Sequence, residues 1–174
     1  MNGKTTLISI AKAAELPAIL SYYRGEQEDL EEEIESRCLY LLKQGNKLLG
    51  VACVKHDLSE TLFAKTRSFR KGDILLNDIG YRGEPLAVLT RFAIASPIRG
   101  KEEERDFLKS LFAKYKGSTW IFPSPQNDMH ALSFFKDFGF RSLGQYSELE
   151  GKYVGFNLLY KIYKKEGLCS NPWF

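Results

Sequence analysis

The stretch Leu89-Thr90-Arg91-Phe92-Ala93-Ile94-Ala95-Ser96-Pro97-Ile98-Arg99-Gly100-Lys101 decides the fold, because it leads an apolar strand into a helix. The mostly apolar run 86–95 is typical of a buried strand. Pro97 and Gly100 end that strand, and apolar side chains then recur at helical spacing as far as Tyr115. The sequence therefore predicts a strand, a short loop and a helix in succession.

Two helices are predicted upstream, after a first strand at residues 5–10. The first helix begins near Glu15, because Pro17 fits the first turn of a helix but not its interior. The second helix covers residues 26–37 and is strongly acidic. Its acidic side chains are Glu26, Glu28, Asp29, Glu31, Glu32, Glu33 and Glu35.

A β-hairpin is predicted from two apolar runs, 38–42 and 47–54, on either side of Gly45-Asn46. Such a pair of residues accepts the positive φ angles that a two-residue turn needs. The turn would place Cys38 opposite Cys53. We expect two buried thiols rather than a disulfide, since sparse cysteines are typical of a reducing compartment.

The C-terminal half of the sequence predicts further alternation of strands and helices. A strand at 119–122 precedes a helix at 130–138, which Gly139 would end in a left-handed conformation. Closing strands follow at 141–147 and 153–163. Residues 57–85 form a long connection without a clear pattern. The predicted order is β-α-α-β-β-β-α-β-α-β-β, in one domain over residues 1–174 with a core at about 5–163 and a tail at 164–174.

Composition fits a folded protein that works in water. The 174 residues are 44% hydrophobic and 13% aromatic, which argues against a disordered chain. A net charge of +3 does not favour nucleic acid as a partner. No apolar stretch reaches the ~18–20 residues of a membrane span, and residues 1–20 lack a secretory pattern. Three cysteines and two histidines show no metal-ligand spacing, so we expect a cytoplasmic protein without a metal site.

Four stretches in this order resemble the GNAT N-acetyltransferase superfamily, over about residues 5–163. They are Ala11 with 15–19, the stretch 89–101, Ala131 with Phe135, Gly139 and Phe140, and the closing hairpin. The resemblance implies an α/β (α+β) fold with a mixed, mostly antiparallel central sheet. About six to seven strands would be flanked by about four helices, with a splay between the fourth and fifth strands.

The resemblance also implies a function. The protein would be an N-acetyltransferase that moves an acetyl group from acetyl-CoA to a primary amine by direct attack in a ternary complex. The acceptor would be a small molecule or a peptide, which the acidic helix 26–37 could attract if it is more than a solvated face. The apolar end Pro172-Trp173-Phe174 predicts docking on the domain or on a second copy in a homodimer.

The implied cofactor site lies along the decisive stretch. In the family, the pantetheine arm lies between the splayed strands and pairs with backbone groups, and the pyrophosphate lies at the start of the next helix. Free amides and the helix dipole attract anions at such a position. The matching residues are Phe92, Ala93, Ile94, Arg99, Gly100, Lys101, Asn127 and Phe135. Asp128 beside Asn127 is expected to cap the following helix.

The phosphate-binding loop departs from the family's pattern. Glu102 and Glu104 stand where the family has small residues, so their side chains would crowd and repel a phosphate. A run of glutamates also suits the first turn of a helix for its own stability. The glutamates therefore have two possible explanations: they weaken the binding of acetyl-CoA, or they form an ordinary charged first turn of the helix.

The proton-transfer positions depart as well. Phe135 stands where many members have a tyrosine that protonates the leaving thiolate, and Val88 stands where many have a glutamate base. We predict Glu84 as a remote base and Tyr146, or else Tyr153, as a substitute acid. A solvated turn residue and ordinary aromatic strand residues are the simpler explanations.

These departures leave two alternatives to the enzyme. One is a catalytically degenerate GNAT-fold binding or regulatory protein. The other is a domain associated with nucleic acid or ribosomes, with Arg67, Arg70, Lys71 and Arg82 as its contacts; its binding would weaken steeply with salt.

Overall fold

The computed structural model describes residues 6–23, 26–56, 72–125, 128–147, 149 and 151–163. Its seven strands and five helices follow the predicted order, apart from one additional helix. The strands are β1 (Thr6–Ile10), β2 (Leu39–Gln44), β3 (Lys47–His56), β4 (Leu86–Ile94), β5 (Thr119–Ser124), β6 (Arg141–Gln145) and β7 (Asn157–Lys161). The helices are α1 (Leu16–Tyr22), α2 (Gln27–Glu35), α3 (Gly72–Ile79), α4 (Glu102–Lys114) and α5 (Met129–Asp137).

The seven strands form one sheet in the order β1-β2-β3-β4-β5-β7-β6. Every neighbouring pair is antiparallel except β4 and β5, which are parallel. The predicted mixed, mostly antiparallel sheet is thus confirmed.

The additional helix is α3, which lies within the connection at 57–85. It buries Leu75, Leu76 and Ile79 against the sheet. Its eight residues make only two turns, which is too short for the hydrophobic period to distinguish a helix from a buried strand.

Helices cover both faces of the sheet. One face packs against α4 and α5 through a cluster that includes Phe107, Phe134 and Phe135. The other face packs against α1 and α2 over β2 and β3, and against α3 over β4, β5 and β7. In the described part of the chain, no helix combines the length and the apolar character that crossing a membrane requires.

The β2–β3 hairpin differs from the predicted register at its far end. Gln44 pairs with Lys47, as a two-residue turn requires, but an irregularity after Leu42 brings Leu39 rather than Cys38 opposite Cys53. Both cysteines are free thiols, as predicted, with Cys53 buried and Cys38 half-buried. Their Sγ atoms lie 3.4 Å apart.

Candidate functional site

The strands β4 and β5 part after three residue pairs. Residues 86–88 of β4 pair with residues 119–121 of β5, and no pair follows them. On its other side, β4 stays paired with β3 as far as Ile94. The splay expected between the fourth and fifth strands is therefore present, and we call the β5-facing side of residues 89–94 the open edge.

The alternation of backbone groups along β4 decides which residues point their N–H and C=O groups towards the open edge. The Ala95 N–H donates to the Leu49 carbonyl at 2.8 Å, towards β3. Because N–H and C=O groups alternate sides along a strand, Ala93 also faces β3, whereas Phe92 and Ile94 face the open edge. Of the three residues predicted to pair with pantetheine, Phe92 and Ile94 thus turn their backbone groups to the open edge and Ala93 turns its own to β3.

A β-bulge at Thr90 sets the side chains of β4. Cys53 pairs with Arg91 but Val54 pairs with Leu89, so Thr90 is the extra residue. The bulge turns Arg91 towards α2, and it leaves Phe92 among the aromatic rings of α4 and α5. The Tyr153 hydroxyl donates to the Thr90 carbonyl at 3.0 Å.

Arg91 is held by a buried ion pair. Its Nε lies 2.9 Å and 2.7 Å from the two Glu33 carboxylate oxygens, and its Nη2 lies 3.3 Å from Asp29. The guanidinium also lies over the Tyr23 ring, 5.0 Å from its centroid. Burial lowers the pKa of Arg91, but the charges and hydrogen bonds of Glu33 and Tyr23 together raise that pKa above its ordinary value. Glu33 and Asp29 of the acidic helix thus bind a residue of the central sheet and are not simply part of a solvated face.

The predicted phosphate loop, residues 99–101, has the geometry of a helix entrance. Gly100 has φ +79°, which favours glycine because a side chain is strained there. Lys101 is the extended residue before α4. The charge of Arg99 partly offsets the burial that raises the pKa of Tyr22 to about 12.

Glu104 reaches back from α4 to this loop. Its carboxylate accepts the Gly100 backbone N–H, and both of its oxygens lie 3.1 Å from His130 Nε2 at the start of α5. Glu104 is 1% exposed, whereas Glu102 is exposed. The ordinary charged first turn therefore describes Glu102, and Glu104 requires a different explanation.

Phe135 bridges the two splayed strands. Its buried ring lies 5.3 Å from the Phe92 ring of β4 and 4.6 Å from the Phe122 ring of β5, between centroids. Asp128 caps α5, as predicted, because its side chain accepts the Ala131 N–H at 2.9 Å. Asn127 lies outside the described residues.

The predicted acid and base lie away from the open edge. β4 begins at Leu86, so Glu84 lies in the preceding turn, where its carboxylate accepts hydrogen bonds from Thr119 Oγ1 and from the Arg82 N–H. Tyr146 donates to Asp78 of α3 at 2.8 Å. Neither residue is brought together with Phe92 and Gly100.

His130 and Thr90 are the residues that sequence reasoning missed. His130 lies two residues after the helix cap Asp128, so the sequence places it in the first turn of α5, but it does not reveal the contact with Glu104. The bulge at Thr90 leaves no signal in sequence spacing. Residues 67, 70 and 71 and the tail at 164–174 lie outside the described residues, so the nucleic-acid and homodimer hypotheses stay predictions.

Comparison with solved structures identifies the architecture. A GNAT-family acetyltransferase from Streptococcus agalactiae superposes with a TM-score of 0.68, over 92% of this chain and 96% of that chain. This chain has the GNAT fold. Sequence identity in that pair is only 15%. No protein-family model matches the sequence, and no curated protein matches it either.

Two further structures share the GNAT fold. Arabidopsis thaliana Naa50, in complex with the bisubstrate analogue CoA-Ac-MVNAL, has a TM-score of 0.61 and 12% identity, covering 91% of this chain and 99% of that chain. The ribosomal-protein-S18-alanine N-acetyltransferase from Escherichia coli has a TM-score of 0.60 and 13% identity, covering 94% and 99%. Similarity at this level of identity concerns the fold.

Proposed function

We propose that this protein is an N-acetyltransferase that moves an acetyl group from acetyl-CoA to a primary amine of a small molecule or peptide. The open edge of β4 is the observation that carries the proposal. There, Phe92 and Ile94 present backbone groups that no strand uses, as a pantetheine arm would require. The Naa50 neighbour, bound to an analogue that joins CoA to a peptide, supports acetyl-CoA as the donor and a peptide amine as one acceptor.

The two ends of the proposed acetyl-CoA site fit to different degrees. The open edge fits the amides of pantetheine, because an unpaired strand edge satisfies another extended chain. The phosphate loop offers the cations Arg99 and Lys101 and a helix N-terminus, which suit an anion. Its Gly100 amide, however, already donates to the Glu104 carboxylate.

Positioning carries the proposed reaction. Acetyl-CoA supplies an activated acetyl group as a thioester, and the amine nitrogen attacks the thioester carbon directly. The carbon–sulfur bond then breaks, CoA leaves as a thiolate, and a proton given up by the amine restores the free thiol. Backbone N–H groups of the open edge hold the thioester carbonyl and stabilise the negative charge that develops on its oxygen. Orientation of this kind contributes several kcal/mol to lowering the barrier.

The proposed reaction proceeds without a general acid at position 135, where the family resemblance implies a proton-donating tyrosine. Phe135 has no proton to donate, and Tyr153 is buried and already donates to Thr90. Burial raises the pKa of Tyr153 above its ordinary value. Since a positioned acid or base contributes about 10²–10⁴-fold, we expect slow turnover.

Titration calorimetry with acetyl-CoA and CoA tests the proposal, followed by release of free thiol with a panel of primary amines. We expect binding of both ligands and slow release of CoA with at least one amine. No binding at millimolar ligand would overturn the proposal.

One observation favours a second candidate, a GNAT-fold protein that binds or regulates without acetyl transfer. The Glu104 carboxylate occupies the Gly100 amide that an incoming phosphate would use. Turnover with any amine of the panel would exclude this candidate, whereas binding of CoA without turnover would favour it.

A further inference from the structure

Glu104 is a buried carboxylate at the place where the proposed donor would put its phosphates. A carboxylate withdrawn from water requires close hydrogen-bond donors to compensate its lost solvation. For Glu104 the donors are the Gly100 N–H and His130. Glu104 and His130 line one small cavity beside this loop, together with Phe92, Ile94, Arg99, Asp128 and Ala131.

The same donors suit a phosphate. A backbone N–H at a helix entrance binds an anion whatever its source, and a carboxylate there excludes a second anion through both volume and repulsion. The side chain of Glu104 belongs to α4 and cannot leave by diffusion. An anionic ligand that uses the Gly100 N–H must therefore displace the Glu104 carboxylate from it.

We infer that Glu104 is an internal competitor for the phosphate position, and that it sets the affinity for acetyl-CoA by holding the Gly100 amide. The inference rests on the proposed function, since it concerns the same site. It identifies a residue that determines specificity: ligands without phosphate escape the competition, and ligands with phosphate do not.

Helix capping alone is the competing explanation. A glutamate in the first turn that accepts a preceding backbone N–H stabilises its helix. Capping and competition share one hydrogen bond but differ in consequence. If Glu104 only caps α4, its removal lowers thermal stability and leaves ligand affinity unchanged.

The experiment compares two ligands across three variants by titration calorimetry. The ligands are CoA and pantetheine, which lacks phosphates. Glu104→Ala removes the competitor, and Glu104→Gln removes its charge while keeping its shape. Glu102→Gln is the matched control, because it removes the same charge from an exposed position in the same turn. A thermal melt establishes that each variant is folded.

We expect Glu104→Ala to bind CoA about tenfold more tightly than the wild type, with Glu104→Gln between the two. Pantetheine affinity should change by less than about twofold, as should CoA affinity in Glu102→Gln. If Glu104→Ala does not fold, Glu104→Gln still decides, with tighter CoA binding expected.

The possible failures are distinguishable. Equal or weaker CoA binding in both Glu104 variants overturns the inference and leaves the proposed function standing. An equal gain in Glu102→Gln also overturns it, because the effect is then general electrostatics. If no protein in the series binds CoA or pantetheine, the proposed function falls and the inference with it.

Discussion

Arg91 shows how one residue joins the central strand to the acidic helix. Its partner Glu33 is 5% exposed, so Arg91→Met would leave a buried carboxylate without its main cation. We expect a loss of about 3–5 kcal/mol in the free energy of unfolding, measured by urea denaturation at neutral pH. The double variant Arg91→Met with Glu33→Leu should recover most of that loss, because apolar packing replaces the ion pair. A double variant no more stable than the single one would contradict this account.

The two neighbouring thiols should differ in reactivity. A hydrogen bond from Cys53 lowers the pKa of Cys38, whereas burial raises the pKa of Cys53 well above its ordinary value. The thiolate is the reactive form, and its fraction at neutral pH rises as the pKa falls. In a Cys169→Ser background, iodoacetamide should label Cys38 at least about tenfold faster than Cys53. Peptide mass spectrometry measures the two rates, and faster labelling of Cys53 would refute the assignment.

At the scale of single elements, α5 ends in a glycine-dependent cap. The Phe140 N–H donates to the Phe135 carbonyl at 3.1 Å and the Gly139 N–H donates to the Lys136 carbonyl at 2.9 Å. Gly139 has φ +82°, which costs other residues about 1–2 kcal/mol. We expect Gly139→Ala to lower the free energy of unfolding by that amount, measured by chemical denaturation. Gly139→Asn should lose less, because asparagine tolerates this conformation better, and the exposed Lys136→Ala should be near neutral.

The orientation of the β4 backbone is testable by hydrogen exchange. Ala93 faces β3 and its amide should exchange slowly. The Phe92 and Ile94 amides face the open edge and should exchange faster. Saturating pantetheine should slow exchange at Phe92 and Ile94 by about tenfold or more while leaving Ala93 unchanged. Protection of Ala93 alone would mean that the alternation has been assigned to the wrong residues.

For the whole molecule, the element order and the cap at Gly139 were predictable because they depend on local signals, whereas the mixed sheet followed from the resemblance to the GNAT superfamily. Apolar period, glycine and proline act over a few neighbouring residues. The helix α3 was not predictable, since two turns carry too little period. The distinction among the three consecutive glutamates was also out of reach. Only Glu104 meets His130, which is 26 positions away in sequence, and no local pattern encodes that encounter.

The surroundings of Glu84 and Tyr146 were out of reach for a related reason. Glu84 would share a face of β4 only if the strand extended beyond Leu86, and it lies before the strand and meets Thr119 of β5. Tyr146 meets Asp78 of α3, a helix that the sequence did not predict. In both cases the partners come from distant parts of the chain, and the proposed roles of Glu84 as base and Tyr146 as acid stay predictions.

The three residue pairs that join β4 to β5 make a short seam between a four-stranded and a three-stranded half of the sheet. Because that ladder is brief, packing of the Phe135 ring against Phe92 of β4 and Phe122 of β5 also helps to join the two halves. An extended molecule bound along Phe92 and Ile94 would therefore stiffen the connection between the two halves of the sheet. It would also satisfy the hydrogen-bonding groups of two backbone amides. Rigidity of the whole would then depend on what the gap contains.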